Sequence, residues 1–550
     1  MKISPIKYSN TAFKAANISI NAFSDTHGEI LLANNALEDM RKRKKNIFFP
    51  EKKGNANIIA ISGDWFINGG EKGFRTDPKK PLGKFQLNVF NEFINQIKSI
   101  AGNTKALFVP GNHEFDGGVK LLDDILSEID ADVIASNLNI DESPAFSKTR
   151  NANKIFNERI IEVEDDKNPN LKHKLLFLGI MPVNMQMYQR NLDGVSLTDV
   201  SRKNLVNINR EDFQNTLDTC KKKIFDFKKD NPDGIVIFMS HAGANFSDTL
   251  AQEAPVDLIF DGHEHKKETR IIKNKTPIIP LYMNFKRIVN AKLMIGDDGK
   301  LNVIYTNNFD PSRNKTKGPL NSLFKKIFKQ DLKKEYSIQA NNPEIKVLDV
   351  DGIRDGNNFL ANFVTDSILH EIRKENPDVD IFALNASAIR HSLFISQSPK
   401  NSHLQVKNVL AGISEEAGSV MTTNVTGLEL AYMVRDNLIF NSKDPQKNPL
   451  VHYSGLIIDK TNLDEEIKKG RPLKYLLRYI TDAKTNMPVE ADKMYKIANV
   501  EKYFDKSKNE VIKNFKQKSE YTGTNIHKLF EQHFEQEKDN LVAKCDVRIL

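Results

Sequence analysis

Cysteine is nearly absent: the 550 residues contain two, Cys220 and Cys545. They lie far apart and neither forms a metal-type pair, so neither a disulfide framework nor a cysteine metal cluster is implied. No stretch approaches the roughly 18 consecutive apolar residues of a membrane-spanning helix. No apolar core of a signal peptide follows Met1–Asn10, and the expectation is a cytoplasmic protein without a membrane partner. A strong charge excess is missing too. The formal charge is +8 with a pI near 9.0, and the lysines are spread along the chain. The one compact basic run, Arg41 to Lys45, has no interleaved aromatics. It reads as a solvated loop or helix face rather than a nucleic-acid patch. Repeats and low-complexity segments are absent as well.

What is present fits a soluble globular protein, with 39% hydrophobic and 28% charged residues. The length is too great for one core, so two or three domains are expected. The first ~310 residues alternate short apolar runs with helix-like segments, the pattern of βαβ layering. Strands are predicted at 18–23, 58–61, 106–108, 133–135, 175–180, 235–239 and 258–260. A helix is predicted over about 85–100. Three further runs, 277–283, 288–295 and 301–305, read as strands closing the sheet. Residues 311–343 change character: a polar, turn-rich start precedes Leu320, Leu323, Phe324, Ile327 and Phe328 at helical spacing, which reads as a linker helix. From about 344 a mixed α and β domain follows. It has a helix near 359–371, a strand at 380–384 and a helix near 427–438.

Five strand ends carry metal-type side chains: Asp25 and His27; Asp64; Asn112; His241; His263 and His265. Ligands of open α/β sheets bind outside the C-terminal ends of the strands. Any one of these pairs alone is weak, since loops commonly hold Asn, His and Asp as turn and cap residues. The conjunction is not. Of twelve histidines, five (His27, His113, His241, His263, His265) lie in these turns. Seven His, Asp and Asn ligands suit two divalent ions with a central carboxylate between them. Asp64, the lone acid at its strand end, is the bridging candidate.

In order along the chain stand Asp-x-His, Gly-Asp, Gly-Asn-His-Glu, a later His and Gly-His-x-His, spanning residues 25–265. This set resembles the calcineurin-like metallophosphoesterases. The form Gly-Asn-His-Glu-Phe-Asp, with a linker and a second domain, resembles the bacterial 5′-nucleotidase family. The resemblance implies a four-layer α/β/β/α metallophosphoesterase sandwich over 1–310, a linker helix over 311–343 and a smaller mixed α/β substrate-binding domain over 344–550. It implies that Asp25, His27, Asp64 and His265 hold one ion, and Asp64, Asn112, His241 and His263 the other. The ions would be Zn²⁺, Mn²⁺, Co²⁺ or Fe, with Mg²⁺ ranked behind them. His113 and Asp116 would form a catalytic dyad, Asp116 orienting the imidazole. The implied reaction is hydrolysis of a nucleotide phosphate ester by metal-bound hydroxide, which exists at neutral pH because the ion acidifies its water.

In the second domain the family binds nucleoside and phosphate. Asn385-Ala386-Ser387-Ala388-Ile389-Arg390 matches the family's Asn-Gly-Gly-Gly-Ile-Arg stretch at its ends but not in its glycines. Arg354, Asn385 and Arg390 are the implied phosphate and ribose contacts, a guanidinium fork suiting phosphate. The family's base-stacking aromatics are missing where this chain reads Met421 to Asn424, and its Gly-Gly-Asp-Gly loop is replaced by Tyr503 to Ser507. Tyr503 or Phe504 remains to supply one stacking face. Two alternatives stay open: a phosphoesterase for a cyclic nucleotide, nucleotide sugar or sugar phosphate, and an inactive binding module of the same fold. The expected partner is a small phosphate ester, with no protein partner implied.

Overall fold

The architecture comes from a computed structural model. It describes residues 15–27, 30–66, 84–115, 118–138, 146–168, 170–183, 210–265, 268–272, 276–283, 287–296, 301–306, 320, 336–340, 348, 352–389, 395–396, 403–406, 419–443, 449–500, 518–537, 540–544 and 546–549. The chain divides into two compact units, the first running to about residue 326 and the second from 327 onward.

In chain order the strands of the first unit are β1 (Ala16–Phe23), β2 (Asn55–Ser62), β3 (Thr104–Val109), β4 (Asp132–Ile134), β5 (Ile155–Phe156), β6 (Arg159–Glu164) and β7 (Lys172–Ile180). They continue with β8 (Ile235–Ser240), β9 (Leu258–Asp261), β10 (Arg270–Ile272), β11 (Thr276–Pro280), β12 (Val289–Ile295) and β13 (Leu301–Thr306). They form two sheets, ordered β13-β12-β1-β2-β3-β4-β5 and β10-β11-β9-β8-β7-β6. The sheets face one another over a shared core. Ile18, Ile20, Ile58 and Leu107 of the first sheet meet Phe177, Ile237, Met239 and Phe260 of the second. The central strands are apolar on both faces because helices cover the outside. Leu217, Cys220 and Ile224 of the helix Arg210–Asp230, with Phe246 and Leu250 of the helix Ala244–Glu253, pack on the outer face of the second sheet. On the outer side of the first sheet Trp65, the only tryptophan, packs in ring contact with Phe23, Phe90 and Phe93 at centroid distances of 6.1, 4.9 and 5.5 Å. The first unit is thus a four-layer α/β/β/α sandwich.

Two expectations need correction. The runs 277–283, 288–295 and 301–305 do not close one sheet. β11 pairs in parallel with β9 in the second sheet, whereas β12 pairs antiparallel with β1 and β13 with β12 in the first. Apolar periodicity reports burial, not the identity of the strand alongside. The stretch expected as a linker helix also contains a strand, Tyr336–Ala340, which pairs with His403–Val406 and Leu541–Ala543. Apart from Leu320, the residues of the proposed helical stripe lie outside the described residues. The basic run from Arg41 to Lys45 is helix surface: Arg41 Nη2 donates to Gln96 Oε1 (2.7 Å) and Arg43 pairs with Asp39 (3.0 Å). Among the described residues no helix is long and apolar enough to cross a membrane.

The second unit holds a five-stranded sheet in the order Val451–Ser454, Ile381–Asn385, Met494–Val500, Ser419–Thr426, Glu520–Asn525. The helix Gly427–Lys443 packs on it through Leu430, Met433, Val434 and Leu438. His452 on its edge strand is 1% exposed and its Nε2–H donates to the Ile353 carbonyl at 2.7 Å. Burial pushes this imidazole down from 6.5 to about 4, only partly offset by that bond. The unfolded chain therefore takes up the proton first, and stability is full above pH 6.5 and falls as the pH drops toward 4. The shift of roughly 2.5 units corresponds to about 3 kcal/mol at most. Chemical denaturation followed by far-UV circular dichroism should show this loss between pH 6.5 and 4, and His452→Asn should flatten it.

Candidate metal centre

Three of the five turns leave β1, β2 and β3, which are parallel neighbours. The other two leave β8 and β9, also parallel neighbours. Parallel strands end on the same edge, and the face-to-face packing sets the two edges against each other. Backbone bonds lock the turns together. Asp25 N donates to Gly63 O (3.0 Å) and His27 N to Asp64 O (2.9 Å). His263 N donates to both Asp25 carboxylate oxygens, at 3.2 and 3.0 Å, which ties the second sheet to the first.

The turns hold their side chains by unusual backbone. Among the described residues seven non-glycine positions have positive φ, and five are Asp25 (52°), His27 (48°), Asp64 (55°), His263 (74°) and His265 (53°). Asp and His tolerate this region better than most residues. It still costs on the order of 1 kcal/mol or more each, and such outliers cluster at functional sites.

The structure brings six of the seven candidate ligands into a mutual network. His265 Nε2 lies 3.1 Å from Asp25 Oδ1. Asp64 Oδ2 is 3.4 Å from His27 Nε2 and 3.1 Å from His241 Nε2. Ligand atoms of Asp25, His27 and His265 lie within 4.8 Å of one another, as do those of Asp64, His241 and His263. A third such group joins His27, Asp64 and His113. Asn112 is buried in the turn after β3, directly before His113, whose backbone N–H donates to Asp64 Oδ1 at 3.0 Å. The rings of His27 and His113 stand edge to face with centroids 5.3 Å apart. Asp116 lies outside the described residues.

The electrostatics fit a cation. Burial pushes the Asp25 carboxyl up, but His265 and His241 outweigh it and hold it well below the usual range. Asp64 behaves alike, with His241 and His113 as its main opposing charges. Burial carries His27 down to about 4 and His263 to about 3. Ionised carboxylates and neutral imidazoles are the states that bind metal. His241 gives the sharpest indication. Its Nδ1 contacts the Ser62 carbonyl, which can only accept, so Nδ1 carries the hydrogen. Its buried Nε2 makes no hydrogen bond and faces Asp64 and, at 4.0 Å, Asp25. A neutral ring there would aim a lone pair at two carboxylates, which is repulsive unless a proton or a cation intervenes. With a proton, burial is overcome by Asp64 and Asp25 and the ring is pushed up to about 10. A divalent ion between these groups resolves the same conflict, with the Nδ1–H bond to a carbonyl fixing the ring as is usual for metal-bound histidine.

Space is as restricted as charge. A Cβ on Gly111 would lie 2.2 Å from Asp64 Oδ1 and 2.7 Å from His241 Nε2. We expect Gly111→Ala to displace both side chains while leaving the fold intact. A misplacement of about 1 Å costs on the order of 10²-fold in kcat/KM. Steady-state kinetics on a generic ester, with circular dichroism as the folding control, checks it.

One residue of the site carries no ligand signature in the sequence. Glu114 is 4% exposed and accepts three backbone N–H bonds, from Asp64 (2.8 Å), Phe66 (2.8 Å) and Gly111 (2.5 Å). It clamps the β2 turn to the β3 turn. Burial and the Asp64 charge raise it to about 7, against the pull of those backbone bonds. Its position in Gly-Asn-His-Glu is the only signal that could have marked it.

In the second unit Asn385 caps the short turn after its strand: its Oδ1 accepts from Ser387 N (2.9 Å) and its Nδ2 donates to Pro449 O (3.4 Å). The half-buried Arg354 offers its backbone carbonyl to Leu450 N (3.0 Å) and Asn441 Nδ2 (2.7 Å). Arg390, Tyr503 and Phe504 lie outside the described residues.

The layered sandwich and this rim of carboxylates and imidazoles define a metallophosphoesterase, a metal-dependent phosphoric ester hydrolase. Residues 18–267 match the family model of the calcineurin-like phosphoesterases. Over nearly its whole length the chain shares its fold with 5′-nucleotidases. It resembles a 5′-nucleotidase precursor of Thermus thermophilus with 14% identity and a TM-score of 0.61, covering 97% of this chain and 99% of that one. A 5′-nucleotidase of Candida albicans gives 12% identity and a TM-score of 0.52, covering 95% and 98%. A sulfate thiohydrolase of Thermus thermophilus gives 13% identity and a TM-score of 0.61, covering 98% and 97%. At such identities the likeness is one of fold. No curated protein matches the sequence.

Proposed function

We propose that the chain is a dimetal phosphoesterase that hydrolyses the phosphate ester of a nucleotide or a nucleotide-like molecule. The observation that carries this reading is the place of Asp64: its Oδ2 stands between His27 of one ligand group and His241 of the other, as a bridging carboxylate must. Asp25, His27, Asp64 and His265 would hold one divalent ion, and Asp64, Asn112, His241 and His263 the second. Bound there, two ions would supply an acidified water and a charge clamp for phosphoryl oxygens.

The chain's own residues do the rest. Glu114 keeps the β2 and β3 turns in register. Ser62, through its carbonyl, fixes the tautomer and plane of His241. His113 sits beside the shared carboxylate and would donate a proton to the phosphoryl or leaving oxygen, Asp116 orienting it. Arg354 and Arg390, with Asn385, Tyr503 and Phe504, are the proposed substrate contacts of the second unit. The nucleotide part of the proposal rests on the Gly-Asn-His-Glu-Phe-Asp stretch and on solved nucleotidases of the same two-part fold.

The test is a screen of purified full-length protein against nucleotides, nucleotide sugars, cyclic nucleotides, sugar phosphates and p-nitrophenyl phosphate, with Mn²⁺, Zn²⁺, Co²⁺ or Mg²⁺ added and phosphate release measured. Nucleotides should be turned over with a higher kcat/KM than the generic ester. Equal rates on all esters would remove the nucleotide assignment, and no release under any metal would remove the hydrolase.

A further inference from the structure

A second cluster of metal-type side chains lies in the second unit, within one helix pair, and shares no residue with the ligands above. The helices Phe359–Glu375 and Ile526–Glu537 pack through an aromatic knot of Phe363, Phe530 and Phe534, whose rings meet edge to face with centroids 4.9 to 6.1 Å apart. Seven residues, or two helical turns, beyond Phe363 and Phe530 come His370 and Glu537. Glu371 and His533 stand beside them. Ligand atoms of His370, Glu371, His533 and Glu537 all fall within 4.8 Å of one another.

The individual distances have the scale of a coordination shell. His533 Nδ1 is 3.0 Å from Glu371 Oε1, His370 Nε2 is 3.4 Å from Glu537 Oε1, and His370 Nε2 is 4.0 Å from Glu371 Oε1. Tetrahedral ligands at about 2.0–2.1 Å from zinc stand roughly 3.4 Å apart. His533 and Glu537 are four residues apart and so share one helix face. The two imidazole rings stand edge to face at 5.2 Å. The Glu371 side chain is 3% exposed, while His370 is 51% exposed, which leaves an entry path from solvent. Lys374 Nζ also donates to Glu371 Oε1 at 2.8 Å, so the cluster holds two carboxylates against one ammonium. The remaining negative charge leaves room for a cation.

We propose that His370, Glu371, His533 and Glu537 form a transition-metal site, of zinc type, that pins the helix Ile526–Glu537 to the helix Phe359–Glu375. Two imidazoles with two carboxylates favour Zn²⁺, Ni²⁺ or Cu²⁺ over Mg²⁺ or Ca²⁺, which prefer all-oxygen shells. All four residues come from the protein, so the site is structural in kind, with no ligand position reserved for substrate. Its ion would stabilise the folded second unit by mass action, because the unfolded helices do not hold the four groups together.

The experiment compares full-length wild type with His370→Gln, a change at a half-exposed position, and with the double variant His370→Gln/His533→Gln. Each is loaded with Zn²⁺, desalted and subjected to elemental analysis, and hydrogen exchange over 526–537 is followed with and without zinc. The readout is a difference between variants, so it stands whatever the first unit binds. We expect the double variant to carry one zinc ion fewer per chain and to lose the zinc-dependent slowing of exchange in 526–537. Loss in the single variant already would support the site in full. Retention in the single variant with loss in the double would mean that three ligands suffice, which also supports it. Equal zinc content and equal exchange in all three proteins would show an ion-pair network only and overturn the proposal.

Discussion

Asp64→Asn should lower kcat/KM by on the order of 10⁴-fold or more, the scale seen when one member of a concerted catalytic unit is removed. The substitution preserves shape. An amide oxygen can still accept the His113 N–H that Asp64 Oδ1 accepts at 3.0 Å. What it removes is the charge at Oδ2, which faces His27 at 3.4 Å and His241 at 3.1 Å. Asp64 alone among the described candidate ligands belongs to a group with His27 and to a group with His241, so on the proposed assignment its loss would weaken both ion sites at once. Elemental analysis after metal loading should show one or two ions fewer per chain than in the wild type. A variant with the metal content of the wild type and near wild-type turnover would show that Asp64 does not bridge.

His113→Ala should lower kcat by about 10²–10⁴-fold, the contribution of one general acid, and leave metal content unchanged. The imidazole stands next to the Asp64 carboxylate, yet its anchor is the backbone: the N–H of residue 113 bonds Asp64 Oδ1, and alanine keeps that bond. The geometry also offers a competing outcome. His113 forms a ligand-scale group with His27 and Asp64. If the alanine variant loses an ion together with activity, His113 is a ligand and the proton must come from elsewhere. Parallel measurement of kcat and metal content on one preparation separates the two.

The convergence at the rim was legible because the chemistry sits at strand ends, and parallel strands end together. His241 and His263 follow apolar runs as plainly as Asp25 and Asp64 do. Sheet membership was not legible, since β11 and β12 look alike as apolar runs and differ only in their neighbours. Nor was the backbone strain: Asp25, His27, Asp64, His263 and His265 adopt positive φ, which follows from the bonds between turns and not from their own sequence. Glu114 was missed for a related reason. Its partners are backbone N–H groups of Asp64, Phe66 and Gly111, and a backbone donor leaves no mark on residue choice. In the second unit the capping role of Asn385 was not legible, because polar caps and polar ligands are drawn from the same residue types.

Trp65 has a spectroscopic consequence. It is the only indole in 550 residues, and it follows Asp64 directly in the chain, fully buried. Its near-ultraviolet emission is therefore a built-in, label-free gauge of the first unit alone. Zn²⁺, with a filled d shell, would alter that emission only by tightening its surroundings, whereas open-shell Co²⁺ or Cu²⁺ would quench it, so one titration distinguishes loading from the electronic class of the ion. In denaturant, emission would follow the first unit while far-UV dichroism averages both. A gap between the two curves measures how independently the halves melt.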